Sequence, residues 1–352
     1  RRDLPSERAR LVVEQAALRR RGAEKFGELA RAMFFTRQHL EQATDLWIGR
    51  YKARRLAASG PAADYCCGIG GDLVALAEGG PAAGWDLSPV ACLLATANLG
   101  GRATIACADV STLAPEPRGA WHLDPDRRAT GRRATHLESY APGAELIARW
   151  LRASPQGCIK LAPATEAPAC WAADAELEWI SRDRECRQQV VGGAPPSGSA
   201  GRRRATVVRG DDAASFLGDA GAPCAVAERP ARYLFDPDPA LLAAGLLGAF
   251  AAANGLASLG PGSAYLTGDQ PTLHGLVTSL EVRECLPLRS AEVAGYLAAR
   301  GVGALEIKKR GVSLDPDAFR RKLRLRGDHA ATLILTRVGR REVAIVAERV
   351  KA

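Results

Sequence analysis

Asp64-Tyr65-Cys66-Cys67-Gly68-Ile69-Gly70-Gly71-Asp72 is the stretch on which the fold turns. An apolar run at 62–66 leads into it and a helix-like run at 72–78 leads out, so the glycines join a strand to a helix. Glycine at such a junction lets the backbone approach a ligand lying across the carboxyl edge of a sheet. Two common glycine loops are excluded by the residues themselves. The dinucleotide fingerprint needs Gly or Ala where this chain has Leu73, and no Gly-Lys-Ser/Thr follows to make a nucleotide-phosphate loop.

Outward from the loop, strands at 82–86, 103–107, 120–123 and 157–161 alternate with helices at 89–98 and 144–153. The alternation predicts an α/β fold, a doubly wound and mainly parallel sheet, over residues 61–210. Further strands are expected at 177–181, 186–191 and 205–208. Residues 1–60 read as a helical N-terminal cap. One helix runs from Ser6 to about residue 21, and a second opens at Thr36 or Gln38. The second places Leu40, Ala43, Leu46, Trp47, Tyr51 and Leu56 on one apolar stripe. Residues 211–279 read as a connector holding one helix over 239–256, with Pro near its start and Gly255 near its end. Residues 280–352 form a small α/β unit. Its expected order is strand 279–286, helix 290–300, strand 304–308, helix 316–323, and a hairpin of 331–337 with 342–348 that turns at Gly339.

At 352 residues, 25% charged and 47% apolar, the chain has the composition of a globular protein with a sizeable core. The longest apolar helix-like run, 240–253, falls short of the roughly 20 residues needed to cross a bilayer. No charged-then-apolar leader opens the chain, which begins on Arg1 rather than Met; a cytoplasmic location and no membrane contact are expected. Nine cysteines stand singly apart from Cys66-Cys67, without a CxxC or a Cys/His cluster. That predicts a reducing compartment, no disulfide framework and no metal. The formal charge is +9, and residues 280–352 hold 16 Lys and Arg against 9 Asp and Glu. A basic domain of this kind implies a polyanionic partner.

Carboxylates recur along the sheet domain at strand-length intervals. Asp86 follows Asp64 by 22 residues and ends the second strand; Asp109 follows the third strand 23 residues later; Asp124-Pro125 ends the fourth, 15 residues on. All fall on the sheet edge that carries the glycine loop, where open α/β sheets bind ligands. A carboxylate at the end of the second strand suits two ribose hydroxyls, and one beside the third suits an adenine amino group.

This pattern resembles the Rossmann-like S-adenosylmethionine-dependent methyltransferases, and Asp64-x-x-Cys67-Gly68-x-Gly70-Gly71 is similar to the loop of the trimethylguanosine synthase branch. The likeness extends to a bacterial family of proposed RNA methyltransferases with a THUMP-like C-terminal domain. It rests on Phe35-Thr36, Leu40-Glu41-Gln42-Ala43-Thr44, Asp86-Leu87, Cys107-Ala108-Asp109, Asp124-Pro125-x-Arg127-Arg128 and Lys160-Leu161-Ala162-Pro163. In the C-terminal domain it rests on Glu306-Ile307-Lys308-Lys309-Arg310-Gly311, Leu323-x-Leu325-Arg326-Gly327-Asp328 and 331–337.

The resemblance implies a Rossmann-like methyltransferase sheet, a helical cap and a small THUMP-like domain, with S-adenosylmethionine as cofactor. It implies that Gly68 and Gly70 line the methionine part, Asp86 holds the ribose and Asp109 the adenine. Asp64, Cys67 and Leu87 stand beside them, and segment 35–44, with Thr36 and Gln42, closes over the pocket. Asp124, Pro125 and Arg127 take the catalytic position. In amino-methylating relatives a second proline and an aromatic follow; here Asp126 and Arg127 replace them, and Arg127 is suited to stacking on a base or binding phosphate. The expected acceptor is RNA, tRNA or rRNA, held by Arg128, Arg132 and Arg133 beside the site and by Lys308, Lys309, Arg310, Arg321 and Arg324 in the basic domain. Two other readings stay open: a non-catalytic RNA-binding or assembly protein that keeps the fold, and a methyltransferase of a protein or small molecule. Cys158, the one thiol near an Asp-Pro-x-Arg stretch of the kind seen in uracil-5 methyltransferases, reads as a core residue. His122 and His136 read as structural or solvated.

Overall fold

The computed structural model describes residues 5–56, 60–115, 119–126, 137–154, 156–192 and 199–350. They divide into two compact units, 1–202 with 208–213, and 203–207 with 214–352.

The first unit opens with helices α1 (Ser6–Phe26), α2 (Arg37–Gln42) and α3 (Leu46–Leu56). The stripe expected on one helix is split between α2 and α3, because two caps compete for it. Thr36 accepts from the His39 N–H to start α2, and Asp45 Oδ1 accepts from the Ile48 N–H to start α3. The break at Ala43–Thr44 matters for the site. Next come β1 (Ala62–Tyr65), α4 (Gly71–Glu78), β2 (Ala82–Asp86), α5 (Pro89–Leu99), β3 (Thr104–Cys107), β4 (Ala120–Leu123), α6 (Ala144–Ala153) and β5 (Gly157–Leu161). The five strands pair in parallel in the order β3-β2-β1-β4-β5. The chain thus winds one way from β1 and the other way from β4, which puts the topological switch point between these two strands.

Helix α7 (Ala169–Asp174) leads to the hairpin β6 (Leu177–Arg182) and β7 (Glu185–Gly192), turned by Asp183 and Arg184, both at positive φ. Strand β7 runs antiparallel to β5, so the sheet continues β5-β7-β6; β8 (Arg203–Arg209) and β9 (Asp212–Gly218) are the strands in which the two units divide. Leu18, Phe26, Phe35 and Leu40 of the cap bury against Leu73, Val74, Ala95 and Leu99 of α4 and α5. Side chains of that size contribute roughly 1.5–3 kcal/mol each when fully buried, so the cap is bound to the sheet domain by its core.

The second unit contains β10 (Tyr233–Pro237), α8 (Pro239–Ala243), α9 (Leu247–Ala253), β11 (Ala257–Ser258), β12 (Leu266–Gly268), β13 (Val277–Pro287), α10 (Ser290–Ala299), β14 (Val302–Lys309), α11 (Pro316–Leu323), β15 (His329–Val338) and β16 (Arg341–Arg349). The single helix expected over 239–256 is two short ones, because Gly245 adopts φ +68° and ends the first. Its seven strands run β11-β12-β10-β13-β16-β15-β14, all antiparallel except β14 with β15. Strands β10, β11 and β12 lie in the stretch read as a connector, yet they belong to this sheet. Val293 and Leu297 of α10 and Leu323 of α11 pack on Leu333, Leu335, Ala344 and Val346. Among the described residues no helix is long and apolar enough to cross a membrane.

Candidate functional site

The carboxyl ends of β1, β2 and β4 and the break between α2 and α3 surround one cavity of about 570 Å³ in the first unit. Thr36, Gln42, Asp64, Cys67, Gly68, Asp86, Asp124 and Pro125 line it, as do Gln38, His39, Thr44, Asp72 and Asp126. The size lies within the ~300–1,000 Å³ range of small-molecule sites. Gly68 stands at φ +55° with open space where a Cβ would project, so its backbone is bare toward the cavity. A Cβ on Gly71 would lie 3.1 Å from Thr44 O and 3.2 Å from Thr44 N; glycine there lets the α2–α3 break lie against the start of α4.

Asp86 is fixed by two backbone donors: Gly68 N–H to Oδ2 at 2.8 Å and Ser88 N–H to Oδ1 at 2.9 Å. A carboxylate has about four acceptor sites, so both oxygens keep capacity toward the cavity. Asp109 is exposed, accepts from Ser111 N–H through Oδ1 at 2.8 Å, and does not line the cavity. Leu87 is 70% exposed and also stands outside the lining, and Gly70 sits behind it as the left-handed N-cap of α4. Burial pushes the Cys67 thiol far above its ordinary value, and the Cys158 thiol, inside β5, up to about 12. Neither is poised as a nucleophile.

Asp124 Oδ2 pairs with Lys160 Nζ at 2.6 Å, and the same ammonium donates to Thr44 Oγ1 at 2.9 Å. Asp126 and Ala141 exchange backbone hydrogen bonds of 2.8 and 3.0 Å, fixing the chain just beyond Pro125. Arg127, Arg128, Arg132, Arg133 and His136 lie outside the described residues.

Four side chains at and behind the cavity wall were not expected to act together. His122 Nδ1 meets Asp64 Oδ1 at 2.7 Å, Lys52 Nζ meets His122 Nε2 at 2.9 Å, and Lys52 pairs with Asp72 Oδ1 at 2.7 Å. All four are buried. Burial raises the Asp64 carboxyl above its ordinary value, and His122 offsets only part of that rise. Against burial, the Lys52 charge holds Asp72 well below the carboxylate range. Sequence signals existed: a lysine beside Tyr51 on an apolar helix and a histidine inside an apolar strand. Among the described residues no group of three or more His, Cys, Asp or Glu could hold a metal ion.

In the second unit the basic residues separate into two classes. Lys308 Nζ and Arg310 pair with buried Asp236 at 3.0 and 3.1 Å, and Lys309 Nζ donates to Leu314 O at 3.0 Å. Lys308 and Arg310, expected at an RNA surface, thus also neutralise a carboxylate that folding has taken out of water. Arg321 and Arg324, with Lys322, border an open groove beside Ser290 and Ala291 of α10. None of these three has a polar partner among the described residues.

Residues 277–349 match the THUMP domain-like family. Over 349 residues, 95% of this chain and 94% of theirs, the sequence is 38% identical to an uncharacterized S-adenosylmethionine-dependent methyltransferase in each of two strains of Mycobacterium tuberculosis. The chain belongs to this S-adenosylmethionine-dependent methyltransferase family. The crystal structure of a proposed methyltransferase from Porphyromonas gingivalis W83 superposes on the methyltransferase with a TM-score of 0.80, covering 100% of this chain and 93% of that one at 17% identity. That likeness speaks for the fold. The cofactor is S-adenosylmethionine, and the cavity suits it: Gly68 leaves room, Asp86 retains acceptor capacity, and Asp64 Oδ2 is buried without a hydrogen-bond partner among the described residues.

Proposed function

We propose that this methyltransferase modifies RNA, with the donor held at the carboxyl ends of β1, β2 and β4. The observation that carries the RNA reading is the unpartnered cationic end of α11 inside a domain of the THUMP-like kind. Unpaired Arg and Lys on a groove suit phosphates, which position a polyanion without reading its sequence.

When bound, S-adenosylmethionine supplies a methyl group already activated on a sulfonium sulfur. The chain's work is placement. Asp86, with its two oxygens fixed by Gly68 and Ser88, accepts from the ribose hydroxyls. Asp109, exposed at the sheet edge outside the cavity lining, would accept from the adenine amino group only where the adenine extends beyond that lining. Backbone at Gly68 borders the methionine part, and the Asp64 carboxylate faces the cationic amino-acid end. Asp124 gives Oδ2 to Lys160 and keeps Oδ1 for an N–H or O–H of the acceptor, which it orients in line with the methyl carbon. Asp124 or water would take the acceptor's proton as the methyl carbon passes to the acceptor and the cofactor retains the electron pair of the broken carbon–sulfur bond as a thioether. Such orientation can be worth several kcal/mol of barrier.

The test is incubation of the protein with isotopically labelled S-adenosylmethionine and total RNA from a strain lacking it, followed by nucleoside analysis. Label should enter one nucleoside class and vanish with Asp124→Ala, while donor affinity stays nearly intact. Label in protein or small molecules alone would refute the RNA reading. Equal loss of binding and turnover would make Asp124 a support of the pocket.

A further inference from the structure

Methyl transfer makes no direct use of His122, Lys52 or Asp72, yet they form a continuous buried line ending at the cavity. Asp64 and His122 are register partners on the parallel strands β1 and β4, at the switch point. Lys52 reaches them from α3 and Asp72 from the first turn of α4. The partners assign the tautomer of His122. A lysine ammonium only donates, so at 2.9 Å from Nε2 it requires a lone pair there. Nδ1 then carries the proton and donates to Asp64 Oδ1 at 2.7 Å.

Charge along the line does not cancel. Lys52 and Asp72 neutralise each other and the imidazole is neutral, which leaves the Asp64 carboxylate uncompensated. A purely structural network would close every polar atom, since a buried charge left open is destabilising. Here Asp64 Oδ2 has no hydrogen-bond partner among the described residues, and Asp64 lines the cavity.

We infer that His122 and Lys52 are positioning residues for the cofactor: they hold Asp64 by one oxygen so that its uncompensated charge stands at the cavity wall for the ammonium of the cofactor's amino-acid end. The inference rests on the reading that Asp64 faces that end. Lys52 fixes the imidazole, the imidazole fixes the carboxylate, and the carboxylate meets the cation. Asp72 keeps Lys52 charged and in place.

Calorimetric binding of two thioethers separates this role from a structural one. S-adenosylhomocysteine carries the amino acid; 5′-methylthioadenosine keeps the nucleoside and thioether without it. His122→Leu and Lys52→Met should each weaken S-adenosylhomocysteine by about tenfold, the scale of a charge-assisted hydrogen bond, and 5′-methylthioadenosine by less than about twofold. His122→Asn, whose amide N–H can stand where Nδ1 stood, should recover most of the loss. Equal losses for both ligands, or none, in a folded Lys52→Met variant would overturn the relay even if His122→Leu fails to fold, and so would a folded His122→Asn variant that binds S-adenosylhomocysteine about tenfold more weakly. Asp64→Asn tells the two failures apart. If it too leaves the ratio of affinities unchanged, the reading of Asp64 itself is wrong. If it alone shifts the ratio, Asp64 acts without the relay.

Discussion

Lys25 shows how a single side chain ties the cap to the cavity. From α1 its Nζ donates to Leu40 O at 2.8 Å, Glu41 O at 2.9 Å and Ala43 O at 2.8 Å, the carbonyls that end α2. Burial, and next the positive charge of Lys160, bring its pKa down to about 8 from 10.5. Between those two values the folded amine has lost its proton while the unfolded chain still binds one. Linkage then requires stability to rise with pH across that window. Below it both states are protonated and the contribution is flat. Relative to Lys25→Met, the wild-type urea midpoint should therefore gain from pH 7.5 to 9.5. A relative loss would mean that the three carbonyls hold the charged form more firmly than burial opposes it.

Among the elements, β14 and α11 carry runs of basic residues that look alike in sequence and differ in structure. Lys308, at the end of β14, and Arg310 just beyond it turn to Asp236, whereas Arg321 and Lys322 of α11 and Arg324 at its end have no polar partner among the described residues. Replacing the latter three with Ala should weaken RNA binding and lower the log–log salt slope by about 0.7–0.9 for each phosphate no longer neutralised. Lys308→Ala with Arg310→Ala should lower thermal stability instead, by taking two cationic partners from buried Asp236. Filter binding at three salt concentrations, beside a melting curve, separates the two; an unchanged slope for the α11 variant would leave those charges as mere solvation.

This contrast also shows what was legible in sequence. Strands β1 to β5 and the aspartates at their ends could be read locally, because apolar runs ending in Asp repeat at strand-helix spacing. The pairing of Lys308 with a residue 72 positions earlier could not, nor could Lys52 with His122, since periodicity carries no long-range partner. The break between α2 and α3 was hidden for another reason: the apolar stripe continues through it, and only the two competing caps at Thr36 and Asp45 mark it.

At the scale of the whole molecule, the account places donor binding in the unit that carries the switch point between β1 and β4, and polyanion binding in the unit that carries α11. The similarity to the Mycobacterium tuberculosis relatives spans both units. The central claim is that the cavity of the first unit is the donor site, with Asp86 accepting from the ribose. Titration calorimetry of the full chain with S-adenosylmethionine addresses it directly, with NAD as the competing nucleotide. The account predicts one S-adenosylmethionine per chain, no tight NAD binding, and a loss of roughly 1.5–3 kcal/mol for Asp86→Ala, the range for hydrogen bonds to a charged group. Unchanged affinity in a folded Asp86→Ala variant would contradict it, and so would NAD bound in place of the methyl donor.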